Sequence, residues 1–139
     1  MTAHALLRRI ARYLVGDDHP ADRYSNPRLT ADQERALLRT NYLLLQAGQA
    51  ALGLIGPDLL GIAVEPRPDD VILHFAVAEH TDEAAEAIQD IADNLMTLLN
   101  PGPEMLSAID TQIHVGHPDT TWPGRAHALL YIAKRPTAE

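Results

Sequence analysis

The sequence predicts an α+β domain: two N-terminal helices, then a four-stranded, mainly antiparallel sheet of two hairpins with a crossover helix between them, in the order ααββαββ. Three observations predict it. Segments 30–54 and 82–99 repeat apolar residues at intervals of three and four. Four shorter segments carry the alternation or the apolar run of a strand. The stretches between them are rich in Pro, Gly, Asp and Asn. With 139 residues, 46% of them hydrophobic, the chain has the size of one domain with one core, and residues 1–29 read as a helical appendage and loop.

The first helix is expected over 3–15, where Leu6, Leu7, Ile10, Tyr13 and Leu14 share one side and Arg8, Arg9 and Arg12 the other. A second begins at Thr30, because Thr30-Ala31-Asp32-Gln33 has the spacing of a capping box, and runs to about residue 54 before Gly56-Pro57. It is apolar around most of its circumference, which suits burial or a homodimer through 36–54. Segments 59–65 and 71–79 flank Pro66-Arg67-Pro68-Asp69-Asp70 and read as a hairpin. In its second strand Val71, Leu73, Phe75 and Val77 form a bulky face that should meet a helix, while His74 lies on the lighter face.

That helix follows. Thr81 is the expected N-cap, Asp82 and Glu83 suit the positive end of the dipole, and Asn100-Pro101-Gly102 stops the helix. Its buried stripe is Ala84, Ile88, Ile91, Ala92, Leu95, Leu98 and Leu99, and its opposite stripe is Glu83, Glu86, Asp90 and Asp93. Two more strands are expected over 106–115 and 126–134 as a second hairpin with a long connection; because the helix between the hairpins is a crossover, a parallel central pair stays open and pattern alone does not decide the strand order.

The formal charge of -8 disfavours direct binding to nucleic acid or anionic lipid and suits a cationic partner. The absence of cysteine removes disulfides, thiolate nucleophiles and Cys-type zinc sites. The first residues carry arginines within their apolar stretch and no cleavage signature, so a cytoplasmic location is expected. The longest uncharged stretch, 40–57, is interrupted by Asn41, Gln46, Gln49 and three glycines, so no membrane span is expected.

Among groups that carry chemistry, His74, His114 and His127 fall on the wetter sheet face by alternation, with Asp110, Gln112 and Tyr131 near them, a set that suits zinc binding or acid and base work. Ligand-type spacing on a helix is missing, and His74-Phe75-Ala76 and His114-Val115-Gly116 lack the hydroxyl of the two-histidine phosphoesterases. No catalytic residue, metal or cofactor is therefore expected. Trp122, the sole tryptophan, lies in a Pro-Gly loop; with Asp119 it is expected to contribute to a partner contact, against the alternative of a lid folded onto the core. The acidic stripe has the clearest physical signal. Like charges three and four residues apart repel by a few tenths of a kcal/mol per pair, and no Lys or Arg occurs in the helix to offset them.

A small, acidic, cysteine-free α+β chain with the stripe Glu83, Glu86, Asp90 and Asp93 resembles the immunity proteins of bacterial polymorphic toxins, including those of contact-dependent growth inhibition. The resemblance implies a non-enzymatic protein that binds a cognate basic toxin domain, a nuclease, and covers its active site. The element order and low isoelectric point also resemble the acidic dimeric chaperones of specialised secretion, in which the helix 36–54 would form the dimer.

Overall fold

The computed structural model describes residues 28–100, 102 and 108–134. The helix expected over 3–15 and the tail 135–139 lie outside the described residues. By its contacts the chain divides into two compact units, Met1–Arg35 and Ala36–Glu139.

Helix α1 spans Ala31–Ala50 and starts in the first unit. Its capping box is formed as expected: the Thr30 hydroxyl accepts from the Gln33 N–H at 3.1 Å, and the Gln33 side chain accepts from the Thr30 N–H at 2.9 Å. The helix ends at Ala50 rather than near residue 54, and the chain turns through 51–54 with Gly53 at φ 77.

The remaining elements lie in the second unit: β1 (Leu59–Pro66), β2 (Val71–Val77), α2 (Asp82–Leu99), β3 (Ile109–Val115), a 3-10 helix (Pro123–Ala126) and β4 (Ala128–Ile132). The fold is α+β, as expected. Among the described residues the order is αββαββ, and the sheet is mixed, with strand order β3-β2-β1-β4. The first hairpin forms, with β1 and β2 antiparallel and paired from Leu59↔Val77 to Pro66↔Val71. The second does not. Strand β3 pairs parallel to β2, and β4 pairs antiparallel to β1 on the opposite edge. The reason is the crossover: α2 carries the chain back along the sheet, so β3 enters in the same direction as β2. Segment 116–127 must then cross about 14 Å of sheet to reach the far edge, which no tight turn does.

The main core lies between one sheet face and the helices. Val71, Leu73, Phe75 and Val77 are fully buried there, with Ile62 and Val64 of β1. Leu43, Ala47 and Ala50 of α1 and Ile88, Ile91, Ala92, Leu95 and Leu99 of α2 complete it. Each such large aliphatic or aromatic side chain contributes about 1.5–3 kcal/mol by leaving water. The Thr81 hydroxyl accepts from the Ala84 N–H at 3.1 Å and caps α2. The Asn94 amide donates to the Ala50 carbonyl at 3.2 Å, satisfying an acceptor freed at the end of α1 and tying the two helices together.

The other face of β2 is not wet. Every β2 residue is buried, His74 included, because the segment between β3 and β4 folds over this face and seats Trp122, 2% exposed, on Ala63 and Ala76. Two glycines permit the fit. A Cβ at Gly61 would lie 2.9 Å from the Pro118 side chain, and one at Gly124 would lie 2.7 Å from His74 Cβ. Among the described residues no helix is long and apolar enough to cross a membrane.

Candidate functional site

On the Trp122 side of the sheet, β1, β2 and the residue that leads into β4 deliver one polar side chain each. Alternation along β1 puts Gly61, Ala63 and Glu65 on this face; Ala63 pairs with His74 of β2, so Glu65 is diagonal to His74. His127 immediately precedes β4, whose Ala128 pairs with Val64 next to Glu65. The resulting cluster is compact. Glu65 Oε1 lies 2.8 Å from His127 Nε2 and 3.7 Å from His74 Nε2, the second beyond hydrogen-bonding distance. The two imidazoles stack with ring centroids 5.0 Å apart and planes 12° from parallel. His74 Nε2 is buried and has no hydrogen-bond partner.

Burial pushes the His74 pKa below the usual histidine value, because the cationic form would have to shed its hydration; the Glu65 carboxylate pulls the other way, and His127 adds to the lowering. His74 is therefore a neutral imidazole near pH 7, a form that donates a lone pair. One carboxylate oxygen and two imidazole nitrogens within 4.8 Å of one another make this the described group able to hold a metal ion.

The structure sorts the polar face expected from the sequence. His74 and His127 come together. His114 and Asp110 sit on β3 beyond them, aligned with Ala76 and Ile72. His114 lines a pocket of about 90 Å³ with His74, Gln112 and Trp122, whereas Asp110 is exposed. Tyr131 leaves the group altogether. A register shift between Ile62 and Ala63 opposes Tyr131 to Ile62, and both Leu130 and Tyr131 pack on the helix-side core. Glu65 was not among the expected residues. Its signal is the alternation Gly61, Ala63, Glu65 before the hairpin, but its histidine partners depend on the β1 and β4 pairing, which no local pattern encodes.

The acidic stripe is built as expected. Glu83, Glu86, Asp90 and Asp93 are all exposed on α2, and Asp82 with them, while the buried stripe holds the helix against the sheet. Among the described residues none of these carboxylates is in a salt bridge; Asp93 accepts a hydrogen bond from Gln89 at 2.9 Å. The expected loop contact divides. Trp122 is inside and offers a partner no surface, so of the pair only Asp119 reaches solvent. Asp119 accepts from the Thr121 hydroxyl at 2.6 Å and the Thr121 N–H at 2.9 Å, which hold its carboxyl below the usual range. It lines a groove of about 500 Å³ with His117, Arg125 and Lys134.

Set beside known protein families and curated proteins, the chain matches no family and no curated protein.

Proposed function

We propose that the protein is an immunity protein, a non-enzymatic inhibitor that binds a basic bacterial toxin domain in the cytoplasm and covers its nucleic-acid cleft. The observation that carries this reading is the exposed line Glu83, Glu86, Asp90 and Asp93 on a helix whose other side is anchored in the core. Spaced carboxylates on a rigid rod substitute for phosphates in a cationic cleft, and their summed field draws the partner in before contact. The mutual repulsion that costs stability in the free protein is relieved when cations intercalate.

The test is binding to the purified basic toxin domain encoded beside this protein. A stoichiometric complex is expected whose association slows as salt rises. The variant with Glu83→Gln, Glu86→Gln, Asp90→Asn and Asp93→Asn should associate at least about tenfold more slowly at low salt. Absence of a complex at low salt overturns the reading, and so does an association rate insensitive to both salt and the four substitutions.

A second reading, an acidic chaperone-like dimer, draws on exposed leucines of and just beyond α1. Leu38 is 53% exposed, Leu45 74% and Leu52 75%, and the three recur every seven residues, the spacing of a seam against a second copy. Solution mass separates the readings, because a strict monomer removes the dimer.

A further inference from the structure

We propose that Glu65, His74 and His127 form a binding site for a divalent transition metal of the zinc type, held by two imidazole nitrogens and one carboxylate oxygen. This site lies on the opposite side of the sheet from α2 and stands independently of the toxin-binding reading.

Four observations carry it. The donor set is of the right chemistry, since imidazole selects zinc and its first-row neighbours over magnesium or calcium, which prefer all-oxygen shells. The donor atoms are already gathered within 4.8 Å, with Glu65 Oε1 at 2.8 Å from His127 Nε2 and 3.7 Å from His74 Nε2. Tetrahedral zinc at about 2.0–2.2 Å from each ligand sets neighbouring donors about 3.4 Å apart, so shifts on the order of an ångström, together with rotation of one of the two stacked rings to aim its lone pair at the ion, complete the geometry. The strongest observation is His74 Nε2, which is buried without a partner in a side chain only 4% exposed. An unsatisfied buried polar nitrogen costs about 1–3 kcal/mol, and a metal ion supplies the missing partner. Last, Glu65 and His74 stand on the paired strands β1 and β2, His127 immediately precedes β4, which pairs with β1, and the 3-10 helix fixes His127 through its N–H donation to the Gly124 carbonyl at 3.1 Å.

Binding consumes no redox partner. In the bound form His127 carries its proton on Nδ1, Nε2 donates its lone pair to the ion, and the Glu65 carboxylate exchanges its 2.8 Å contact with His127 Nε2 for a metal contact. Three protein ligands leave a fourth position for water on the side of the half-buried Glu65 and His127, which are 22% and 31% exposed.

The full chain, made without a histidine tag and stripped with chelator, is titrated with Zn²⁺ against a chromophoric competitor at pH 7.5. One equivalent should bind, and the ring resonances of two of the seven histidines, those of His74 and His127, should move. Glu65→Gln and His127→Gln should each weaken Zn²⁺ at least about tenfold, whereas His80→Gln should bind as the parent does and Mg²⁺ should not bind. The shape-conserving Glu65→Gln and His127→Gln are checked for folding by Trp122 fluorescence. The proposal is overturned by absence of Zn²⁺ binding at micromolar concentration, by movement of other histidines, or by folded variants that bind within twofold of the parent.

Discussion

Gly124 supports Trp122 from below, and adding one methyl group there tests how the loop covers the sheet. In Gly124→Ala the new Cβ would lie 2.5 Å from Trp122 Cε2 and 2.7 Å from His74 Cβ, where carbon atoms settle at about 3.5–4.0 Å. Something must therefore move by about 1 Å. Strained accommodation of an extra methyl costs about 1–3 kcal/mol, and the upper limit is expulsion of the indole, about 3–5 kcal/mol. With an unfolding entropy near 2.1 cal/mol/K per residue over 139 residues, a loss of about 3 kcal/mol lowers Tm by about 10 °C. Because Trp122 is the sole tryptophan, its emission reads the same event: blue-shifted in the parent and moved to the red in the variant under native conditions. Gly56→Ala is the control, since nothing lies within 4 Å of a Cβ there and its Tm should hold or rise slightly. Unchanged Tm and unchanged emission in Gly124→Ala would refute the packing of this loop.

Acid should weaken the metal-free fold through His74. Its native pKa is depressed, so the unfolded chain binds the extra proton first; stability is full above about pH 6.5 and declines as pH falls below it, with a slope of at most about 1.4 kcal/mol per pH unit for one group. Urea midpoints between pH 5.5 and 7.5 in chelator should show this decline, with Glu65 and His127 facing the His74 ring in the parent, and His74→Leu should flatten it. On α2, neutralising Glu86→Gln relieves repulsion with both Glu83 and Asp90 and should raise stability by about 0.5 kcal/mol at low salt. That gain should fade at high salt; a destabilised variant would mean that Glu86 makes a favourable contact.

Local signals predicted local structure well. Thr30 to Gln33 formed its reciprocal cap, Thr81 capped α2, and the buried residues of α2 belong to the predicted stripe. These features depend on residues within one or two turns. The pairing of β3 and β4 did not yield to the same reasoning, because whether strands that are consecutive in sequence are also neighbours is decided by the whole sheet. Three site assignments followed from that topology. Glu65 met His127 only because β4 lies against β1, Tyr131 changed face through a bulge visible only in the register, and Trp122 was buried because its loop crosses the sheet. The acidic stripe needed no tertiary information, since one helix carries all of it.

The placement of β4 also sets a folding problem. Ile62 pairs with Tyr131, about 70 positions later, so the fold cannot be completed by contacts between near neighbours alone. High contact order slows folding, because the entropy of closing that loop is lost before the pairing compensates for it. Until β4 docks, β1 presents an open row of backbone donors and acceptors, a template on which another unfinished chain can add a strand. The same edge that brings His127 to Glu65 is therefore where misassembly would begin.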